Sequence, residues 1–306
     1  MTHSSGILLV DKPENISSAK AVSQIKRLLN GAKVGHAGTL DPFATGILVV
    51  CSQKATRLCD FFLHSRKTYI ADMILGIETD TQDKTGQILS QKEGFFFSKT
   101  EIESVLNLFV GKIEQVPPVF SALKHQGQPL YKLARKGIFV QKPARKITIY
   151  EIRLLEIDFP RVQFEIDCSS GTYIRTLAAD IGQKLGCGAY LSDLRRTKSG
   201  IFSISDAYSL EKWAEFSEKG QLFEKILPMS SVLPDFPSIV VSEPLLKKIK
   251  HGAWLTSADI LTCQYDLILF ENTTDIAKLV DEKNNLLALI YLKNADASYP
   301  YHSVYI

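Results

Sequence analysis

The segment Gly35-His-Ala-Gly-Thr-Leu-Asp41-Pro-Phe-Ala-Thr-Gly46 sets one carboxylate in a loop of small residues. Its glycines permit backbone conformations closed to residues with a Cβ, and Pro42 biases Asp41 away from the α region. An aspartate held this way can approach a bound molecule closely. An Asp-Pro pair is ordinarily just a turn. Here the glycines, a histidine and the apolar run 47–50 favour a site. Asp41 could serve as nucleophile, general base or metal ligand. The nearest acidic cluster, 78–86, fails as a calcium loop, because the third and fifth positions from Asp80 are Gln82 and Lys84. It reads as a solvated turn. A phosphatase-type aspartate would be followed two residues on by a second one, where Phe43 stands. What remains is a lone carboxylate nucleophile acting without metal.

A second constellation is Cys168-Ser-Ser-Gly-Thr-Tyr-Ile-Arg175. A strand ends, Gly171 turns the chain and a helix begins. Arg175 reads by default as a surface charge on the first helical turn; a cation there is mildly unfavourable, so the alternative is a carboxylate or phosphate partner that it binds in bidentate fashion. Tyr173 would lie near that partner. In Arg66-Lys67-Thr68-Tyr69 the tyrosine is either core packing or, beside two cations, a ring that stacks on a base, worth about 1–3 kcal/mol. Between Pro117 and Lys146 stand seven basic residues (Lys124, Lys132, Arg135, Lys136, Lys142, Arg145 and Lys146) and no acidic one, with Phe120, Tyr131 and Phe139 interleaved. That is the composition of an RNA-binding element.

These residues need elements to hold them. The run 6–10 reads as a buried strand, and Ser17 or Ser18 can cap a helix with Ala21, Val22, Ile25, Leu28 and Leu29 on its apolar face. Strands are expected at 47–51 and 68–77, and a helix at 54–64. A capping box of Thr100 with Glu103 would open another helix. The segments 147–157 and 162–168 read as paired strands, and 173–185 as an amphipathic helix stopped by Gly186. These signals intermix without a βαβ rhythm or repeat, which predicts an α+β domain around a mixed or antiparallel sheet. Pro228, Pro234 and Pro237 mark a domain boundary. Beyond it, short apolar runs such as 266–270 and 286–292 suggest a small β-rich module.

Bulk composition is that of a soluble protein, with 45% hydrophobic and 23% charged residues among 306. No apolar stretch is long enough for a membrane helix, and Asp11-Lys12 interrupts the first apolar run, which argues against a signal peptide. The five cysteines are scattered without CxxC spacing, as in a reduced cytoplasmic protein. The whole chain has 36 Lys and Arg against 33 Asp and Glu, so without the 117–146 segment it would be slightly acidic. Positive charge concentrated this way suits a phosphate-binding surface.

Together these segments closely resemble the TruB family, the bacterial tRNA pseudouridine-55 synthases. The match runs through 6–13, the 35–46 loop, Lys67 to Tyr69, Leu75-Gly, Thr79-Asp-Thr, 117–131, 171–177 and 186–196. The resemblance implies a pseudouridine synthase fold with a mixed central sheet. It also implies a cofactor-free isomerisation in which the uridine N1–C1′ bond breaks, the base rotates and C5 is joined instead. By motif position Asp41 is then the nucleophile, Arg175 its ion-pair partner, and Tyr69 the ring stacked on the flipped uracil and a candidate proton acceptor. Leu194 would line the base pocket and His36 would contact RNA beside it, with Lys12 and Tyr173 in support. Attack at C1′, attack at C6 and a glycal route all remain open. The basic segment, with Lys124, Lys132, Arg135, Lys136 and Arg145, would pack against the T stem-loop.

The resemblance divides the chain into a catalytic domain, 1–232, with its basic insert at 117–146, and a diverged PUA-like domain, 233–306, supported only by Ile249-Lys-His-Gly252. It implies a monomer with tRNA as partner and no obligate protein partner. A tRNA-folding chaperone is the second reading. A guide-RNA-dependent relative of the archaeal and eukaryotic branch is the third, disfavoured by the long insert and short N-terminus.

Overall fold

The computed structural model describes residues 5–261, 263–265, 275–292 and 298–306. The main elements of the first part are β1 (Gly6–Lys12), α1 (Ser18–Leu28), β2 (Thr45–Ser52), β3 (Lys67–Leu75), α2 (Lys99–Asn107), β4 (Gly111–Gln115), β5 (Arg145–Asp158), β6 (Arg161–Cys168), α3 (Ile174–Leu185), β7 (Ala189–Ser199), β8 (Tyr208–Ser209) and α4 (Leu210–Glu218). They build one ten-stranded sheet along the order β8–β1–β2–β7–β3–β6–β5–β4, with short strands at 34–36 and 202–203 off that path. The sheet is mixed, as expected: β2 and β7 run parallel while β7, β3, β6 and β5 pair antiparallel.

Local chemistry explains most element ends. Ser17 caps α1, its side chain accepting from Lys20 N, while Ser18 turns inward to other work. The capping box on α2 is Ser98 with Glu101 rather than Thr100 with Glu103, so the helix begins a residue before Thr100. The segment 54–64 is not one helix but a 3₁₀ turn (Gln53–Leu58) followed by a short α-helix (Cys59–Leu63). Val162, Phe164, Ile166 and Cys168 alternate into the core along β6 as the sequence pattern requires. α3 follows its N-cap Tyr173 and ends at left-handed Gly186.

Three apolar clusters hold this sheet. One lies between β3, β5, β6 and helices α2 and α3. A second packs α1 and α4 against β1 and β2 around Trp213, whose Nε1 donates to Leu9 O at 3.2 Å. The third joins Ile7, Leu9, Ile47 and Val49 to Val232, Leu233, Val280, Leu286, Leu289 and Tyr305. The C-terminal residues therefore share a core with the large sheet.

The C-terminal part contains β9 (Ser238–Val240), α5 (Glu243–Lys250), β10 (Ile276–Val280), β11 (Leu286–Tyr291) and β12 (Tyr301–Val304). A short strand at 264–265, β9, β10, β11 and β12 form a separate five-stranded sheet in that order. A small β-rich C-terminal module is thus present. The apolar run 266–270 lies outside the described residues. Lys278 links the module to the boundary segment, its buried Nζ donating to Leu233 O at 2.8 Å and Ser230 O at 3.3 Å.

One register line matters most. Arg196 on β7 pairs with Gly46 on β2 at one side and with Tyr69 on β3 at the other. Gly46 has φ +102°, and a Cβ there would overlap the Arg196 backbone. We expect Gly46→Ala to destabilise the fold by about 2 kcal/mol, through backbone strain and overlap together. A urea denaturation midpoint equal to that of the wild type would contradict this.

Candidate active site

The loop after the short strand at 34–36 carries Asp41 to one wall of a cleft of about 610 Å³. The loop is fixed on both sides of that residue. Ser18 Oγ accepts from Leu40 N at 2.8 Å and donates to Leu40 O at 3.0 Å. Lys12 Nζ donates to Pro13 O and Ile16 O at 2.8 Å and to Pro42 O at 3.3 Å. Arg196 donates from Nε to Ile47 O at 2.8 Å and from Nη2 to Gly38 O at 3.2 Å. Each of these side chains is itself buried, so the loop is tied to the sheet core.

Opposite Asp41 stands Arg175, in the first turn of α3 with its side chain only 5% exposed. Arg175 Nε lies 2.9 Å from Asp41 Oδ2, an ion pair off the hydrogen-bond direction, and Nη2 donates to Asp41 Oδ1 at 3.4 Å. The same guanidinium donates from Nη2 to Phe120 O at 2.8 Å, and from Nη1 to Thr81 O at 3.0 Å and Asp83 Oδ2 at 3.2 Å. Asp83 is buried and saturated: Oδ1 accepts from Thr81 Oγ1 at 2.8 Å, Thr85 N at 2.9 Å and Thr85 Oγ1 at 2.5 Å. The 78–86 cluster is therefore not simply a solvated turn. Its Asp83 is the second anion on Arg175, and sequence reasoning missed it.

Electrostatics follow from that triad of one cation and two carboxylates. Burial pushes the Asp41 carboxyl above the ordinary carboxylate value; Arg175 opposes the shift and Asp83 adds to it. The Asp41 side chain nevertheless remains 34% exposed, so the carboxylate is reachable from the cleft. Burial raises the Tyr69 phenol, against an opposing hydrogen bond and charge from Arg196. Lys12 is pulled down to about 8 by burial, with Asp41 opposing. His36 is lowered by burial and by the charge of Arg196.

Tyr69, Tyr173, Arg175 and Leu194 line the cleft with Asp41, so the structure brings these expected residues together. Lys12 stands behind the loop and acts on its carbonyls, and neither Lys12 nor His36 lines the cleft. Lys124, Lys132, Arg135 and Lys136 lie exposed on the surface. Arg145 does not share that surface position. It lies in the cleft wall, its guanidinium 4.5 Å from the centroid of the Tyr173 ring. Lys67 is no phosphate ligand, because its buried Nζ donates to Phe62 O, Leu63 O, Ser65 O and Ser65 Oγ at 2.7–3.0 Å. Arg66 is engaged with Asp167 and the Tyr150 ring.

Two further supports went unread in the sequence. Arg196 lines the cleft and braces both the Asp41 loop and Tyr69. Gln115 holds the Tyr173 backbone through both its amide atoms, accepting from Tyr173 N at 2.8 Å and donating to Tyr173 O at 3.0 Å. Among the described residues no cluster of His, Cys, Asp and Glu could hold a metal ion. Removing one like charge should make Asp41 easier to ionise, so Asp83→Asn lowers the Asp41 pKa and Arg175→Met raises it. Titrating the Asp41 carboxyl by ¹³C NMR in each variant checks both signs. Shifts opposite to these would contradict the triad.

Residues 26–174 match the TruB family pseudouridylate synthase N-terminal domain, and 175–234 match the tRNA pseudouridylate synthase B C-terminal domain. The chain is 42% identical to the tRNA pseudouridine synthase B of Syntrophotalea carbinolica, over 89% of this chain and 87% of that protein. It is 50% identical to the tRNA pseudouridine synthase B of Desulfotalea psychrophila, over 74% and 95%. Among solved structures, one of an H/ACA RNP bound to a substrate RNA containing 2′-deoxyuridine contains a similar chain, with TM-score 0.72 and 26% identity over 98% of this chain and 85% of that one. The chain belongs to the TruB family of pseudouridylate synthases.

Proposed function

We propose that this protein is a tRNA pseudouridine synthase that isomerises uridine-55 in the T loop, with Asp41 as its nucleophile. The single observation that carries the reading is an aspartate in ion contact with a buried arginine in a cleft that Tyr69 and Leu194 also line. The family membership and the names of the relatives supply the substrate class.

The chemistry then falls to the chain's own residues. A uridine stacked in the tRNA elbow must leave its stack to reach Asp41, which costs a few kcal/mol, roughly, in lost stacking. Tyr69 and Leu194 offer the extruded base an aromatic and an apolar wall. Arg175 keeps Asp41 ionised against the burial that favours its neutral form, and orients it. Asp41 then promotes cleavage of the N1–C1′ bond, and after the base rotates the ribose is rejoined at C5. C5 then gives up its proton and N1 gains one, so no net proton is released; we assign this exchange to Tyr69, whose phenol, kept protonated by burial, accepts the C5 proton only as it hands its own on. Exposed Lys124, Lys132, Arg135 and Lys136 would contact phosphates of the T stem-loop.

The same reading gives a catalytic domain of residues 1–232 and a PUA-like domain of residues 233–306. It treats the protein as a cytoplasmic monomer without an obligate protein partner. No helix among the described residues is long and apolar enough to cross a membrane.

Asp41→Asn is expected to abolish pseudouridine formation in tRNA, by about 10⁴-fold or more for loss of a covalent nucleophile, while tRNA binding is largely retained. Full isomerase activity in that variant would refute the assignment. If tRNA annealing rather than isomerisation were the main activity, Asp41→Asn would leave annealing intact, which separates the chaperone reading. The pH dependence has a definite sign as well. Asp41 must be ionised to act, and burial raises its pKa, so activity is lost as pH falls through a value above 3.8. An acid limb at or below 3.8 in single-turnover rates would contradict the raised pKa.

A further inference from the structure

Arg145 is the one member of the basic segment that the sheet carries into the cleft. It opens β5, where alternation puts it on the same face as buried Ile147 and Ile149, while Lys146 points away and is exposed. Its guanidinium packs on the Tyr173 ring, 4.5 Å from the centroid. That ring is itself fixed, because Gln115, register partner of Arg145 on β4, grips the Tyr173 backbone at both N and O. Gly171 adds the space. It has φ +83°, and a Cβ there would come within 3.2 Å of Arg145 Cζ and Nη2. Among the described residues Arg145 has no carboxylate partner, and its buried Nε has no hydrogen-bond partner at all. Arg175, in the same cleft, is already engaged with two carboxylates, Asp41 and Asp83, and two carbonyls, Thr81 O and Phe120 O. Arg145 is thus a preorganised, uncompensated cation facing the space that the reacting group must enter.

We propose that Arg145 is a phosphate-binding residue of the cleft, receiving a phosphodiester of the RNA strand whose flipped nucleotide reaches Asp41. This rests on the function proposed above. A planar guanidinium held on an aromatic face presents its remaining N–H groups edge-on, the geometry that matches two phosphate oxygens. The task differs from that of Lys124, Lys132, Arg135 and Lys136. Those exposed lysines and arginine act on the duplex at large, whereas Arg145 fixes one linkage beside the reacting uridine. Part of the cost of extruding the base would then be offset at that linkage.

The test is a double-mutant cycle on RNA binding. A T stem-loop is prepared with a single uncharged methylphosphonate at each linkage flanking the target uridine in turn, and Kd is measured for the wild type, Arg145→Met and Arg145→Lys. Arg145→Met should bind natural stem-loop about tenfold more weakly, as expected for one lost charge-assisted contact. Its log Kd against log salt slope should fall by about 0.7. At one linkage the methylphosphonate should weaken the wild type about tenfold and leave Arg145→Met unchanged, with Arg145→Lys between them. Equal methylphosphonate penalties in wild type and Arg145→Met at every linkage would overturn the proposal, as would unchanged binding of natural RNA by Arg145→Met. Because the readout is binding, it stands apart from catalysis. Absence of pseudouridine in the wild-type reaction would refute the function, and absence of coupling would refute the role of Arg145 alone.

Discussion

The site depends on one buried cation. Arg175 sits where a helix begins, an electrostatically poor place for an arginine, and it is held there by Asp41, Asp83 and the carbonyls of Thr81 and Phe120. Those partners come from three separate stretches of chain. One guanidinium therefore joins the Asp41 loop, the 78–86 turn and the start of the basic segment. Truncating it would leave the buried Asp83 carboxylate and the half-buried Asp41 carboxylate without their shared cation, which is far more costly than losing one surface pair. The arrangement also sets chemistry. Two anions share one cation, so Asp41 is held between burial, which favours the acid, and Arg175, which favours the carboxylate.

Around that pair the sheet acts as a jig. Adjacent strands bring Gly46, Arg196 and Tyr69 into one line, and Arg196 uses that position to hold the loop carbonyl of Gly38 and brace the phenol. Gly46 is obligatory because the parallel pairing leaves no room for a Cβ. Lys12 and Ser18 complete the cradle from the other side: Ser18 Oγ holds both backbone groups of Leu40, and Lys12 joins Pro42 O to the carbonyls of Pro13 and Ile16. A nucleophile held this firmly loses little freedom when the substrate arrives.

Much of this was legible in the sequence. The glycine-flanked Asp41, the strand–turn–helix that offers Arg175 and the alternating β6 pattern each carried a local signal strong enough to place them. Asp83 was not legible, because a short acidic turn rich in threonine looks the same whether solvated or buried; its partner lies 92 residues away. Arg145 was grouped with the surface lysines, because charge counting ignores the period-two pattern that turns it inward with Ile147 and Ile149. Lys67 reads in the sequence only as a cation beside Tyr69, and what the fold does with it is not legible there: its ammonium is consumed by carbonyls at the end of the preceding short helix. Neighbouring helix starts such as Ser98 and Thr100 each offer capping chemistry, and the local pattern does not by itself choose Ser98, the cap the fold uses.

Isomerisation of uridine in this cleft is the central claim. The most direct measurement is to incubate the purified protein, without added cofactor, with a minimal T stem-loop RNA and to map pseudouridine at nucleotide resolution. Conversion is expected at the single target uridine of the T loop and at no other uridine. An RNA that is bound but contains no pseudouridine after prolonged incubation would contradict it.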